Sequence, residues 1–429
     1  MDLHSLLVEC ATREGFPLSG SVDLDFAKEE LETHIQYYDQ WLQAGYAGSM
    51  EYLRRGKDRR SNPRLLFPEA ESIFCVAIPY SSQPPGSRAR NSTNLVPRGA
   101  MGVSASGATS MGPKLAPELD PKENASQGPK YARYLQGPDY HIEIAEKLER
   151  VMQEVNARWA SETAHTASIS TAASNSDSAP ASLPSSPSPN SGPLSWKICV
   201  DTSAVLEKTW AALAGLGWIG KNTLLIHPKY GSYLFLGEVL INQKTGRKPA
   251  PLPSYCGNCT RCLTACPTNA IRDNRVLDSN QCISYWTLEK RGELPISDEQ
   301  KKKIGSWIAG CDICQEVCPF NRKVTLAAAS APMLEGSSFT LLQDWRDLLL
   351  EDTQSYKLRV KNSALNRVKP AQFSRNLAIS LGNSLRNSQG HVAELEPLIE
   401  LRFENETDLV AKQEWKKCLE LVIGHRLKD

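Results

Sequence analysis

The chain has 429 residues, a formal net charge of +1, and a composition that is 41% hydrophobic and 23% charged, which is ordinary for a globular protein with one large core or two modest ones. No stretch offers the roughly 18 uninterrupted apolar residues that a membrane-spanning helix needs, and the N-terminal residues lack the basic start and apolar run of a secretory signal. We therefore expect a cytoplasmic protein. Twelve cysteines are many for that compartment, where disulfides are reduced, so they indicate metal.

Residues 1–245 have the pattern of an α/β domain. Helical periodicity covers residues 31–42 and, further along, 130–159. The apolar run at 73–78 is typical of a buried strand that ends at a proline. Three more strand-like runs follow at 197–200, 223–227 and 233–241.

Two segments of this domain lack any hydrophobic periodicity. Residues 83–128 are rich in Pro, Gly, Ser and Asn, and residues 160–195 are mostly Ser, Ala, Pro, Thr and Asn. Such compositions bury too little apolar surface to offset the entropy of ordering. We expect both segments to be surface insertions without ordered structure.

Eight of the twelve cysteines lie between positions 256 and 318. A Cys-x2-Cys-x2-Cys-x3-Cys-Pro run begins at Cys256, and a second Cys-x2-Cys-x3-Cys-Pro run begins at Cys311. In two-cluster ferredoxins the first three cysteines of such a run hold one cubane, and the cysteine before the proline ligates the other. We assign one [4Fe-4S] cluster to Cys256, Cys259, Cys262 and Cys318. We assign the other to Cys266, Cys282, Cys311 and Cys314.

A structural zinc site with four thiolates is the alternative for these cysteines, but the first run has one cysteine too many for it. Clusters whose irons are all held by thiolates carry electrons and leave no position for a substrate. The site of chemistry must therefore lie elsewhere in the chain. We interpret Cys10, Cys75, Cys199 and Cys418 as ordinary thiols.

Asp201 stands where the strand-like run at 197–200 ends, with helical sequence after it. From the residues alone, an N-cap of that helix is an open alternative to a catalytic role. Gly215, Gly217 and Gly220 match a dinucleotide-binding pattern, but helix precedes them and strand follows, which is the wrong context for that turn. We interpret these glycines as allowing the backbone to approach something flat and bulky.

Residues 340–429 are mostly helical in pattern and contain a basic segment at 357–375 that has no acidic residue. A solvated helix face and a phosphate-binding surface are both consistent with it. The basic residues of this segment are Lys357, Arg359, Lys361, Arg367, Lys369 and Arg375. Lys290 and Arg291 extend the candidate surface.

Several separated motifs resemble the epoxyqueuosine reductase family, cobalamin- and iron–sulfur-dependent enzymes of tRNA modification. Besides the cysteine runs, they include Gly48-Ser49-Met50-Glu51-Tyr52-Leu53, Tyr131-Ala132-Arg133-Tyr134, Asp139-Tyr140-His141, Val200-Asp201-Thr202, Gly215-Leu216-Gly217-Trp218-Ile219-Gly220 and Leu236-Gly237-Glu238. The resemblance implies an α+β or α/β cobalamin-binding domain (1–245), a ferredoxin-type domain (246–325) and a HEAT-like helical tail (340–429).

The resemblance also implies a reaction, the last step of queuosine biosynthesis. Electrons from an external flavodoxin- or ferredoxin-like donor would pass through both clusters to base-off cobalamin, and epoxyqueuosine at the tRNA wobble position would become queuosine. Asp201 would be the proton donor, with its pKa raised by burial beside the corrin. The residues expected to line the cobalamin site are Arg60, Ala132, Asp201, Leu225, His227, Leu236 and Ser284.

The sequence lacks the Asp-x-His-x-x-Gly motif that would supply a lower histidine ligand, in agreement with a base-off cofactor. A single chain that contains both the electron-transferring clusters and the active site is expected to be a monomer. Two other classes compete with this interpretation. One is a reductive dehalogenase, which usually carries an export leader, and the other is a plain iron–sulfur electron carrier.

Overall fold

A computed structural model describes residues 1–80, 128–173, 193–272, 275–322, 341–386 and 392–426. The insertion expected at 83–128 lies outside the described residues except for its last position. The insertion expected at 160–195 is partly wrong, because its first residues continue a helix that ends at Ala173.

The centre of the first part is a four-stranded sheet of β1 (Leu18–Asp23), β2 (Ser72–Pro79), β4 (Trp196–Cys199) and β7 (Leu234–Ile241). Its order is β1-β2-β7-β4, and every pairing is antiparallel. Of the two arrangements expected, α+β or α/β, the antiparallel sheet therefore shows α+β. All residues of β2 are buried, since both faces of the sheet are covered.

Two hydrophobic cores lie on the two faces of this sheet. On one face Phe74, Val76 and Ile78 pack with α1 (Leu3–Arg13) and α5 (Tyr140–Ala173). On the other face Ile73, Cys75 and Ala77 pack with α6 (Glu207–Leu213) and with α2 (Lys28–Gln43). The alternation of β2 side chains thus decides which helices cover which face.

The helix expected over 130–159 begins ten residues later than its periodicity indicates. Lys130–Tyr131 forms β3, which pairs in parallel with β10 (Trp307–Ala309), and a 3-10 turn follows at Arg133–Leu135. Pro138 disfavours helix before it, and the Asp139 carboxylate accepts the His141 N–H at the helix start. The β3–β10 pairing also joins the first part of the chain to the cysteine region.

The other short elements of the first part and of the cysteine region connect these larger ones. The helices are α3 (Glu51–Arg55), α4 (Lys57–Ser61), α7 (Arg261–Ala265), α8 (Asp298–Lys302), α9 (Ile313–Glu316) and α10 (Pro319–Arg322). The strands are β5 (Trp218–Ile219), β6 (Leu225–Ile226), β8 (Ile271–Arg272) and β9 (Val276–Leu277). Further 3-10 turns lie at Pro63–Leu65, Ser279–Gln281 and Ala364–Arg367, and a π-helical turn at Tyr285–Glu289.

The last part is helical, as expected. It comprises α11 (Trp345–Leu350), α12 (Thr353–Val360), α13 (Pro370–Leu385), α14 (Val392–Asn405) and α15 (Leu409–Arg426). Helix α13 is buried along most of its length, and its Asn376 amide donates to the carbonyls of Thr287 and Ile308. These contacts attach the tail to the cysteine region. No helix in the described part of the chain is long and apolar enough to cross a membrane.

Candidate functional site

Asp201 lies in a short irregular loop between β4 and α6. Its φ is +48°, a conformation that non-glycine residues rarely adopt. Helix α6 begins only at Glu207, and its N-cap position, Leu206, makes no side-chain cap hydrogen bond. The N-cap interpretation of Asp201 is therefore wrong, and the strained backbone is a feature common at active sites.

The side chains of His141 and Glu207 hold the Asp201 loop in place, and Asp139 in turn holds His141. The Asp201 Oδ2 atom lies 2.8 Å from Nε2 of His141, and Nδ1 of the same ring lies 2.5 Å from Oδ1 of Asp139. The Asp201 N–H donates to Oε1 of Glu207 at 2.5 Å. A neutral imidazole donates from only one nitrogen, so two carboxylate partners favour the charged ring.

The charges in this group decide where its proton resides. Burial alone raises the pKa of Asp201, but the hydrogen bond and charge of His141, together with Arg367, outweigh it, and the pKa is lowered. Burial alone lowers the pKa of His141, but its bonds to Asp201 and Asp139 raise it overall. The pKa shift of Asp201 is therefore opposite to the expected rise. The hydrogen bonds and both shifts favour a proton on His141 over one on Asp201.

Arg367, expected to contact tRNA phosphate, lies in the neighbourhood of Asp201. Its guanidinium donates to the Glu289 carboxylate. Burial raises the pKa of Tyr52 to about 12, and the charges of Glu289, Arg367 and Asp201 also act on that hydroxyl. Arg367 and Asp201 therefore both lie near the half-exposed ring of Tyr52.

The residues expected to line a cobalamin site occupy different environments. Arg60 lies over the Tyr52 ring at 6.0 Å and adds its charge there. Leu225 and Leu236 belong to the core beneath α6. The Nδ1 atom of His227 accepts the N–H groups of Lys229 and Tyr230.

Two further members of that set lie closer to the cysteine region. Ser284 immediately precedes the π-helical turn and is half-buried. Ala132 is 2% exposed, and its N–H donates to the carbonyl of Ala309. Ala132 is therefore buried against β10 and has little side-chain surface with which to contact a ligand.

The glycines after α6 serve internal packing. A Cβ at Gly217 would overlap the carbonyl oxygen of Ile226, and one at Gly220 would overlap the Ile226 side chain. They let β5 and β6 approach each other closely. The expectation that they leave room for a flat ligand is wrong for these two positions.

The thiols of the cysteine region lie close enough to influence one another, and their assignment to two clusters stays a prediction. Burial raises the pKa of Cys262 to about 11, and the neighbouring thiols of Cys256, Cys259 and Cys318 add to the rise. Burial also raises the pKa of Cys311, and Cys314 and Cys282 are its neighbouring thiols.

The eighth thiol joins the second set. Cys266 is a neighbour of both Cys282 and Cys314. Cys262 also acts on Cys314, which puts the two sets side by side. In the described part of the chain, no three His, Cys, Asp or Glu side chains are close enough to share one metal ion. A cubane holds its ligands farther apart than a single ion does.

Two members of the basic segment have structural roles. Arg375 is 1% exposed, and its guanidinium donates to the carbonyls of Lys290, Gly292 and Trp286. Arg359 forms a two-fold pair with the Glu351 carboxylate at 2.6 and 2.8 Å. As the protein stands, neither guanidinium is presented to a phosphate, which corrects the expectation for both.

The other basic residues keep their surface positions. Lys357, Lys361, Lys369 and Arg291 are exposed, and Lys290 is half-buried. His141 and Glu207 contact Asp201 but are not among the site residues expected from the sequence. His141 does belong to a motif that carries the family resemblance, Asp139-Tyr140-His141, and this motif could have identified it.

Comparisons with known proteins agree with this arrangement. The family described as "4Fe-4S double cluster binding domain" matches residues 255–321, which include all eight clustered cysteines. Fold and site together define an iron–sulfur oxidoreductase that has a double-cluster region attached to an α+β domain.

The relatives make the class more specific. The epoxyqueuosine reductase of Prochlorococcus marinus is 32% identical over 88% of this chain and 96% of its own length. That of Pseudomonas aeruginosa is 31% identical over 86% of this chain and 82% of its own. The chain belongs to the epoxyqueuosine reductase family.

Solved structures show the same fold. Epoxyqueuosine reductase from Bacillus subtilis, in a form with its catalytic aspartate loop swung out of the active site, has a TM-score of 0.61 at 23% identity and covers 97% of this chain and 98% of its own. A complex of epoxyqueuosine reductase with an epoxyqueuosine-modified tyrosine tRNA stem loop has a TM-score of 0.61 at 23% identity, covering 98% of each chain.

Proposed function

We propose that this protein reduces epoxyqueuosine to queuosine in tRNA, with Asp201 as the acid and the two thiol sets as ligands of two [4Fe-4S] clusters. The observation that carries the proposal is the Asp201–His141 pair, in which Nε2 of His141 lies 2.8 Å from Oδ2 of a partly exposed carboxylate, close enough to share a proton with it. A plain electron carrier needs no such pair. The relatives' shared name supplies the substrate class.

The residues near Asp201 suit cobalamin by their chemistry. Arg60 provides a cation for a phosphate or amide rim, the half-buried Leu236 provides some apolar surface, and the buried Leu225 would contribute through its backbone. Both nitrogens of His141 and Nδ1 of His227 are engaged by protein groups, consistent with a base-off cofactor that has no protein ligand. When bound, cobalamin supplies a reduced cobalt for cleavage of the epoxide C–O bond.

The chain's own residues supply the proton. An alkoxide leaves carbon far more easily when it is protonated as it leaves. The proton on His141 Nε2 moves to Asp201 Oδ2 and from there to the leaving oxygen, while Asp139 stabilises the ring through Nδ1. The Asp201 loop is short and strained, which suits a segment that swings in the Bacillus subtilis relative.

The partner surfaces follow from charge and position. The exposed residues Lys357, Lys361, Lys369 and Arg291, with Lys290, form a surface for tRNA phosphates. An external electron donor would bind near the cluster of Cys256, Cys259, Cys262 and Cys318, leaving the other cluster next to Ser284 and the corrin. We propose a cytoplasmic monomer.

The test is an anaerobic assay with purified full-length protein, epoxyqueuosine-containing tRNA, added cobalamin and a strong reductant. The wild-type protein should form queuosine, and Asp201→Asn should lose about 100-fold or more of the rate while still binding cobalamin. An Asp201→Asn variant with normal turnover would refute the assignment of the acid.

Two further measurements separate the competing classes. Corrinoid absorption in the loaded protein excludes a plain electron carrier. Accumulation of epoxyqueuosine in the tRNA of a deletion strain excludes a dehalogenase.

A further inference from the structure

The two-stranded hairpin of β5 and β6 connects the α+β domain to the cysteine region. Its register pairs Trp218 with Ile226 and Ile219 with Leu225. Side chains alternate between the two faces of a strand. Ile219 and Leu225 accordingly pack into the core beneath α6, whereas Trp218 and Ile226 pack on the other side, against the cysteine region. One face of the hairpin is therefore available to act on a cluster.

The Trp218 side chain lies close to two cysteines that we assign to the same cluster. It packs in one group with Cys256 and Cys318. Its ring meets the rings of Tyr255 and Phe320 edge-on, with centroids 5.1 and 4.9 Å away. Tyr255 directly precedes Cys256, and Phe320 follows closely after Cys318. The indole therefore lies between the two chain segments that bring this cluster its ligands from opposite ends of the cysteine region.

The indole N–H of Trp218 is a buried donor without an acceptor. The side chain is 3% exposed, and Nε1 has no hydrogen-bond partner among the described residues. An unpaired buried donor is costly, and a buried tryptophan N–H usually has a partner. The sulfur atoms of a cluster held by Cys256 and Cys318 would be acceptors at this place. The orphaned N–H therefore fits the group that these cysteines would hold.

A cation from the same hairpin reaches the loop around that cluster. Lys221 lies in the turn between β5 and β6, and its Nζ donates to the carbonyls of Gly257 and Cys259 at 2.7 and 2.9 Å. Both carbonyls belong to the loop from Cys256 to Cys262. Since carbonyl groups are neutral, these bonds leave the charge of the ammonium uncancelled beside the cluster ligands.

A hydrogen bond to sulfur and a nearby charge are two of the quantities that set the reduction potential of an iron–sulfur cluster. When the cluster takes one electron from the external donor, its negative charge grows by one. An N–H donor and an ammonium both stabilise this more negative form. Both groups therefore raise the potential, which makes the cluster easier to reduce.

We propose that Trp218 donates its indole N–H to a sulfur of the cluster assigned to Cys256, Cys259, Cys262 and Cys318, and that Trp218 and Lys221 together raise the reduction potential of this cluster. The inference rests on the ligand assignment in the proposed function. In the step that it concerns, the flavodoxin- or ferredoxin-like donor loses one electron, the cluster gains it, and no bond to iron breaks. The glycine-rich motif then serves the cluster, because it builds the hairpin that carries both residues.

The first test detects the hydrogen bond without cobalamin, tRNA or turnover. The full-length protein with reduced clusters and isotopically labelled indole nitrogen should show a coupling between that nitrogen and a cluster in pulsed EPR spectra. Trp218→Phe keeps an aromatic ring at this position but lacks the N–H, so the variant should lose this coupling. Absence of the coupling from the wild type, or its persistence unchanged in Trp218→Phe, would overturn the proposal.

The second test measures both reduction potentials by EPR-monitored redox titration. Trp218→Phe and Lys221→Gln should each shift the reduction equilibrium of one cluster about tenfold toward the oxidised form, which is about 59 mV for one electron. The potential of the other cluster should stay the same. The shifted potential should be the one that survives in Cys282→Ala, which lacks a ligand of the other cluster. Lys221→Arg keeps the charge and should keep the wild-type potential.

The matched control is Trp210→Phe. Trp210 is also fully buried, and its Nε1 likewise has no partner in the described part of the chain, but it packs in the core beneath α6 with none of the eight clustered cysteines. Both of its potentials should equal those of the wild type. Unmoved potentials in Trp218→Phe, or an equal shift in Trp210→Phe, remove the inference and leave the reductase in place. If the wild-type protein assembles fewer than two clusters, the ligand assignment fails and the inference falls with it.

Discussion

The cysteine region and the Asp201 region encode their sites in different ways. The eight thiols come from one stretch of 63 residues, and the spacing of two runs already separates them into two sets. The Asp201 region draws on Asp139, His141, Glu207 and Arg367, which are dispersed over more than half of the chain. A site whose ligands lie close together in the chain can be predicted from their spacing. A site assembled from distant segments requires the three-dimensional structure.

The largest expected effect tests the cysteine side of this comparison. Cys282→Ala removes one ligand of the set that contains Cys266, Cys311 and Cys314, and electron delivery should stop. We expect loss of about half of the cluster absorption and a rate reduced by about three orders of magnitude or more, because no other group replaces a thiolate ligand. Cys418→Ala changes a buried thiol of α15, outside both sets of cluster ligands. This control should keep the full cluster absorption and the wild-type rate. Full iron content in Cys282→Ala would show that the spacing was misinterpreted.

The next effect concerns a residue for which sequence and structure disagree. Arg375 belongs to the basic segment, yet its buried guanidinium satisfies three carbonyls around the π-helical turn. Arg375→Met should lower the free energy of unfolding by on the order of 3 kcal/mol, because it leaves buried carbonyls unpaired. Chemical denaturation measures this. Unchanged stability with weakened tRNA binding would restore the original phosphate assignment.

The sequence therefore predicts the two regions to different depths. The cysteine sets follow from spacing because each run is short and its thiolates must reach one cubane. The direction of the pKa shift of Asp201 does not follow from spacing. It depends on whether burial or the charge of His141 dominates, and His141 lies 60 positions from Asp201 in the chain. The left-handed backbone at Asp201 has no signature in the run Val200-Asp201-Thr202. Basic composition likewise cannot tell the buried Arg375 from the exposed Lys369.

A smaller effect tests the electrostatic design of the Asp201 region. The pKa of His141 is raised in the folded protein, so its charged form contributes stability that is fully present below the unfolded pKa and lost as pH rises through the folded pKa. His141→Gln should therefore be less stable than the wild type by about 1 kcal/mol at pH 5.5, and the two should converge at alkaline pH, above the folded pKa of His141. Thermal melting across that range measures the difference. A constant gap at every pH would mean that packing against Tyr140, not charge, is what His141 contributes.

The smallest effect concerns the proposed tRNA surface, where single contacts are weak and exposed. Lys369→Ala should weaken binding of an anticodon stem loop a few-fold and reduce the slope of log K against log salt by roughly 1, because one phosphate contact is lost. The matched control is Lys248→Ala, at an exposed lysine that follows β7 beside the β1 edge of the sheet, opposite the edge from which Asp201 emerges. Equal salt slopes for both variants would show that Lys369 lies outside the interface. A lower slope for Lys369→Ala alone would place the tRNA next to Arg367, and hence beside the acid that acts on its modified base.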